Sequence, residues 1–511
     1  MSKYHQLAVS GPDGLARELS LSELSSFGVS SSAPMTVVAG AAVAVFALGV
    51  PGTPLLFLAV GAVAAVWTVG YAALSRYVVS AGAQAAFIAR GLGRTAGVAG
   101  QGAALVAYGA IYVCLYGLFG VVTAPLVARW TGYGGAWWVW ALAAVAGVGL
   151  LGRTRVKIAG RVLTVVLGAE VAAVLLIDLA GFVHPAGGHI DLAEVYPGRL
   201  WGHGTAGLGG ALAYTVACLV GFEETPGLAE DAHNGKRDVR RALLIAVGFL
   251  GAFYALSFLA VSVGEGPGRV AATAADPASG FPFNLIVGAY GPAGPALADA
   301  ANLLLVTSVF AALAPFHTVV TRYVYAAGRD RVLPRALGRV NRRNSSPSAA
   351  SHLVSAAALT TVVLFAGLHA DPFAGLFAWG SYVAAVGVLG LMIASSVAVV
   401  AYFNRHPDQS PTPAVTLVAP TLAAMGMFCL WIIMAASPQT MIGAPLFGPL
   451  HLTLLALPFA GLTAGLARAL VMRRNPASGW HLVAEPTLAE TGVRFPLERK
   501  VPEFASQDYQ L

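Results

Sequence analysis

Apolar residues fill this chain in long blocks, and short polar stretches divide them. A helix needs about 20 apolar residues to cross the hydrocarbon of a bilayer. The blocks predict twelve spans, at 24–48, 54–78, 96–128, 133–151, 157–183, 206–230, 239–264, 293–327, 349–368, 373–403, 414–436 and 448–472. The fold class expected is an all-α integral membrane protein, and the spanning part covers 21–473. An N-terminal segment, 1–20, precedes it, and a tail mixing charges and prolines, 474–511, follows.

Two blocks depart from a plain apolar pattern. The sixth carries Gly221-Phe222-Glu223-Glu224-Thr225-Pro226-Gly227 near mid-depth. A charged side chain there costs about 2.5–3.5 kcal/mol even on the lenient insertion scale. Proline removes a backbone donor and glycine loosens the helix. Lipid cannot satisfy the freed backbone, so this stretch must line a cavity walled by protein. The first block carries Gly28-Val29-Ser30-Ser31-Ser32-Ala33-Pro34. On its own this fits a proline kink with serine back-bonding equally well. The pairing favours a break, because spans one and six hold the same place in two five-span halves. Corresponding breaks of this kind point to a transporter site built from an inverted repeat.

Composition agrees with the membrane reading: 57% of residues are hydrophobic and 10% are charged. Soluble domains carry about 25% charged residues. The net charge of +7 does not point to nucleic acid, because the basic residues sit in short loops between spans. One set of loops holds only Arg129, Arg199 and Arg269. The opposite set holds Arg76, Arg90, Arg94, Arg153, Arg155, Lys157, Lys236, Arg237, Arg240 and Arg241, then six arginines between Arg329 and Arg343, then Arg405, Arg473 and Arg474. Positive loops stay inside, so both termini are expected in the cytoplasm of a multi-pass protein of the cell membrane. Asp13, Arg17 and Glu18 interrupt any apolar core near the start, so no cleavable signal peptide is expected. Cys114, Cys218 and Cys429 have neither disulfide nor metal-ligand spacing, and no cofactor is expected.

Several polar residues lie within spans. Glu170 sits near the middle of the fifth, and Asp178 lies nearer its outer end. Glu170 reads either as a carboxylate satisfied by a neighbouring hydroxyl or as a titratable group facing the cavity, the residue type that proton relays use. Asn302, Thr307, Ser308, His317 and Thr318 in the eighth span read first as helix–helix glue. Trp130, Trp137, Trp138 and Trp140 read as an interfacial belt. His184, His189 and His203 have no tight metal spacing and read as solvated.

At this point the chain resembles the amino acid–polyamine–organocation permease superfamily. Two motifs carry the resemblance: GFEETPGLAEDAHN in the sixth span, and Arg322 to Pro347, TRYVYAAGRDRVLPRALGRVNRRNSSP, after the eighth. The resemblance implies a five-plus-five inverted repeat with helices one and six interrupted, and alternating access. It implies that Ser30, Ser31 and Ser32 replace the family's glycine-rich break. Amides there would hold a substrate carboxylate, helped by the half-helix dipole. Carbonyls around Val220 and Gly221, with Glu223 nearby, would accept an amine, and Phe222 is either an aromatic gate or a packing residue. In relatives held to couple to protons, a lysine often occupies a position in span five. Counting from Arg161, that position is Glu170 here, which would carry a proton or attract a cation.

The function expected is secondary transport of a small amino acid or related amine, proton-coupled or exchanging. The partners expected are that small molecule, protons and the lipid bilayer. Polyamine uptake is the alternative within transport, because Glu170, Glu223 and Glu224 suit a substrate with two amines. A membrane-embedded enzyme would need a nucleophile–base pair at one depth; His317 is the one well-placed intramembrane histidine, and Cys218 has no sequence partner. A channel or sensor without turnover is the remaining class.

Overall fold

The computed structural model describes residues 19–152, 156–192, 207–341, 346–475 and 478–483, with Val195, Tyr196 and Gly198; the side chains of 156–162, Gly235 and Lys236 are not among them. The segment 1–20 and the tail 474–511 therefore fall largely outside the described residues. So do Arg153, Arg155, Arg199, Arg342 and Arg343, on which part of the charge reading rests, and His203, read as solvated.

The described residues are built from helices. In chain order these are α1 (Leu21–Ser32), α2 (Ala42–Ala47), α3 (Thr53–Leu74), α4 (Ala83–Leu92), α5 (Arg94–Thr131), α6 (Trp137–Leu151), α7 (Val156–Val183) and α8 (Leu208–Leu219). They continue as α9 (Gly235–Glu265), α10 (Val270–Ala275), α11 (Asn284–Ala289), α12 (Gly294–Arg329), α13 (Ser348–Gly367) and α14 (Ala378–Arg405). Last come α15 (Ala419–Ala436), α16 (Gln439–Ile442) and α17 (Pro449–Arg474). Among the described residues, ten helical stretches are long and apolar enough to cross a membrane. The other two expected spans are shorter: α6 has 15 residues, and the block 206–230 gives the 12-residue α8 followed by a 3₁₀ turn, Phe222–Leu228.

Depth within the bundle differs sharply between these helices. The apolar window of Leu21–Ala47 is 94% buried, against 22% for Ala414–Ala436 and 28% for both Ser348–Gly367 and Pro449–Arg474. The interrupted first span is thus the centre of the bundle, and the last two spans lie at its edge. Lipid is as apolar as leucine, so such helices associate through close packing of small residues. Gly61 of α3 meets Gly251 of α9 backbone to backbone, and Gly102 of α5 meets Gly461 of α17 in the same way. The linker expected between spans two and three holds the short helix α4, and a methyl group on its Gly91 would collide with Ala398 of α14. Two short helices, α10 and α11, occupy the connection before α12.

A β-carbon on Gly61 would lie 2.8 Å from the Gly251 Cα. Gly61→Val is therefore expected to force α3 and α9 apart and to destabilise the fold by about 1–3 kcal/mol. A thermal melt of the purified protein measures this, and an unchanged melting temperature would contradict the close approach.

Candidate functional site

Pro34 cannot donate to the carbonyl of Ser30, and this ends α1 within the membrane-depth segment. Ala33 takes up φ 48° and ψ 91°, a left-handed conformation that costs a non-glycine residue about 1–3 kcal/mol. The chain then re-enters helix through a π-helical turn, Thr36–Ala41. The amides just past the break leave the helical ladder. Thr36 N donates to Ser308 Oγ on α12 at 3.1 Å, and the two hydroxyls lie 2.9 Å apart. Met35 N points at Glu170 Oε2 on α7, at a long 3.5 Å. Glu170 is 1% exposed, so the carboxylate expected near mid-depth is buried at the first break itself.

The second break is sharper. α8 stops at Leu219, Val220 is extended at φ −62° and ψ 138°, and Gly221 adopts φ 121°. L-residues rarely enter that region, which explains the glycine. The chain continues as the 3₁₀ turn over Phe222–Leu228 with Pro226 inside it. Glu223 turns back on the break. Its Oε2 accepts from Gly221 N at 2.8 Å, and its Oε1 accepts from Tyr108 Oη of α5 at 2.9 Å. Tyr323 of α12 donates to Glu224 Oε1 at 3.0 Å. Each buried carboxylate thus has a phenol, which keeps two adjacent acids tolerable inside the bundle.

The two breaks face each other. A β-carbon on Gly28 would sit 3.0 Å from Thr225 Oγ1, and one on Gly221 would collide with the Ser31 side chain. Ser32 Oγ donates to the Cys218 carbonyl across the gap. Ser31 Oγ instead back-bonds to Phe27 O at 2.7 Å. A cavity of about 20 Å³ lies between the breaks, lined by Gly28, Ser31, Gly221, Glu224, Thr318 and Arg322 among others. That is room for roughly one water, so the side chains must part before an amino acid can enter.

One end of this cavity is closed by charge. Arg322 Nη2 lies 2.8 Å from Asp231 Oδ2, with both side chains buried. Arg329 binds Glu230 through contacts of 3.1 and 3.2 Å, and Glu230 also accepts from Ala81 N at 2.8 Å. Leu19 ties in as well, donating to Asp231 O and accepting from His233 N, both at 2.9 Å.

Of the residues expected at the site, Ser31 and Gly221 line the break cavity, and Ser32 bridges the two breaks. Ser30 is buried beside them. Val220, Phe222 and Glu223 border a separate apolar pocket against α3, α14 and α15. Phe222 packs edge-on against Trp67, with ring centroids 6.1 Å apart. Arg322 and Tyr108 join the site without having been expected in it; Glu224, expected there only in the polyamine alternative, lines the cavity, and Ser308, read first as helix–helix glue, reaches the first break. Glu224 and Arg322 belong to the two motifs already singled out, while Tyr108 carries no signal in its own neighbourhood. His317 lies elsewhere, with Nδ1 2.9 Å from Tyr112 Oη and Nε2 2.8 Å from Ser351 Oγ.

Two interrupted helices crossing at mid-bundle, inside a bundle of apolar spans, define a membrane carrier architecture. Residues 21–454 match the family described as Amino acid permease, and the chain belongs to that family, within the amino acid–polyamine–organocation superfamily. It is similar to the branched-chain amino acid permease BcaP of Lactococcus lactis subsp. cremoris (strain MG1363), at 25% identity over 200 residues. The matched stretch spans 36% of this chain and 38% of that relative. Family membership sets the enzyme reading aside.

Removing one partner of a buried ion pair leaves an uncompensated charge, at a cost of about 3–5 kcal/mol. Arg322→Ala is therefore expected to lower the melting temperature strongly. The double variant Arg322→Gln with Asp231→Asn should recover much of the loss. A double variant no more stable than Arg322→Ala would argue against the pairing.

Proposed function

We propose that the chain is a secondary active transporter of a small amino acid, working by alternating access in the cell membrane. The observation that supports this best is the juxtaposition of the two breaks, Ser31 against Gly221 and Gly28 against Thr225, with Glu170 at the amides of the first. In this reading the fold is a five-plus-five inverted repeat, extended to twelve spans with α6 and the α8 region counted. Ser30, Ser31, Ser32, Val220 and Gly221 supply backbone to the substrate's carboxylate and amine, and Glu223 fixes the Gly221 amide. The arginine-rich face is cytoplasmic, so both termini are inside, and the Arg322–Asp231 and Arg329–Glu230 pairs close the cytoplasmic end.

Glu170 is the coupling residue in this proposal. It stands where the first break meets α7 and α12, so a change in its protonation alters what the Met35 amide and Ser308 have to bind. A proton arriving there is thereby linked to the geometry of the break. The name of the relative supports an amino acid with an apolar side chain. The two glutamates of the second break are engaged by Tyr108, Tyr323 and the Gly221 amide, which weighs against a diamine as the preferred substrate.

Uptake into proteoliposomes under an imposed proton gradient tests this. Wild type should accumulate a branched-chain amino acid, and putrescine in excess should compete poorly; efficient competition by putrescine alone would favour the polyamine reading. Glu170→Gln should abolish pH-driven accumulation and leave exchange across equal pH. Normal accumulation by that variant would make Glu170 structural.

Gly221→Leu should fill the break. The added side chain would occupy the space between Gly221 and Ser31, so affinity should fall by about tenfold or more, that is by about 1.4 kcal/mol or more. Unchanged affinity in a direct binding assay would place the substrate elsewhere.

A further inference from the structure

A second site for a ligand lies away from the breaks, where α3 ends and α9 begins. Arg76 follows α3 by two positions. Arg237, Arg240 and Arg241 stand in the first two turns of α9, spaced so that they share one face. With Leu244 they line a groove of about 460 Å³, far larger than the cavity between the breaks. All four arginines are exposed. Among the described residues, ion pairs form at Arg129, Arg322 and Arg329 but not at these four. Asp238 is the acid of the first turn of α9, and it is half-buried.

This arrangement is costly as it stands. Like charges three and four residues apart on a helix repel. The positive end of the helix dipole adds to that repulsion, since basic residues belong at the other end. Topology asks only that positive charge lie on this side of the membrane; it does not ask that four guanidinium groups converge on one groove. An anion seated among them relieves both terms at once. Guanidinium groups match phosphate oxygens in pairs, a geometry that an ammonium lacks.

The surroundings of the groove identify the anion's carrier. Immediately beyond the arginines, α9 exposes Leu244 at 42% and Ile245 at 49%, at the start of an apolar membrane-crossing stretch. A free phosphate would use the arginines and leave those side chains idle. A phospholipid uses both, with its phosphate among the guanidinium groups and its acyl chains along the leucine and isoleucine. Basic pockets between spans at this leaflet bind anionic lipid headgroups.

We propose that the groove formed by Arg76, Arg237, Arg240 and Arg241 binds the headgroup of an anionic phospholipid, with a two-phosphate headgroup held more tightly than a one-phosphate one. The site is independent of the transport reading. The purified full-length protein in detergent is titrated with cardiolipin, phosphatidylglycerol, phosphatidylethanolamine and inorganic phosphate. Bound lipid is counted by native mass spectrometry, and stabilisation is read from the thermal shift. Cardiolipin should bind best, phosphatidylglycerol next, and the zwitterionic lipid and inorganic phosphate should bind weakly. Arg237→Gln with Arg240→Gln should weaken cardiolipin by about tenfold or more. Arg473→Gln with Arg474→Gln, which removes the same charge elsewhere on that face, should change nothing. If the glutamine variant does not fold, Arg237→Lys with Arg240→Lys should still bind, but several-fold more weakly. Binding that survives every groove substitution overturns the proposal. So does an equal loss from the Arg473 and Arg474 substitutions, which would mean diffuse attraction. Displacement of the lipid by millimolar phosphate would make the groove a soluble-anion site instead.

Discussion

Backbone released from a helix at membrane depth has no water to turn to. Every amide and carbonyl must then find a partner within the protein, or a ligand. Both central breaks are organised by this demand. At the first, the amides of Met35 and Thr36 reach across to Glu170 on α7 and Ser308 on α12. At the second, the amide of Gly221 is taken by the carboxylate two residues on. The first break thus recruits side chains from helices far away in sequence, while the second supplies its own acceptor, which Tyr108 of α5 holds in place. The centre of the bundle is held by polar bonds in a setting where apolar contacts add little preference for one arrangement over another.

The same demand explains why two glutamates can stand side by side in the interior. Glu223 and Glu224 point to different phenols, Tyr108 on α5 and Tyr323 on α12, whose rings stack 5.5 Å apart. Gln84 of α4 extends the chain of bonds to Tyr108 at 3.2 Å. The second break is therefore gripped from α4, α5 and α12 together. Movement of this segment would have to be shared by those helices, which is the kind of coupled element that alternating access requires.

At the arginine-rich end the forces differ. Arg322 and Asp231 are buried together, and Arg329 with Glu230 lies just beyond. Pairs of this sort add little net stability, but separating the partners is expensive unless water reaches both. Together the two pairs tie the end of the second break to α12. Their components come from the ends of two motifs, the acidic stretch after the second break and the basic stretch that closes α12.

The primary sequence determined a good deal. The apolar blocks marked helices to within a few residues, as at 349–368 against Ser348–Gly367 and 414–436 against the same stretch. Composition required a bilayer, and Pro34 and Gly221 located both breaks, because proline and glycine act on the backbone locally and leave their mark in the string itself. What the string did not carry was partnership across helices. Phe222 and Glu223 sit in the break, yet an extended residue followed by a 3₁₀ turn rotates them away from the cavity and brings Glu224 into it. Tyr108 has no distinguishing neighbours, and Ser308 reads as ordinary helix glue. Both matter because folding sets them opposite backbone that the breaks leave free, and which helices stand opposite one another is decided by three-dimensional packing of small residues.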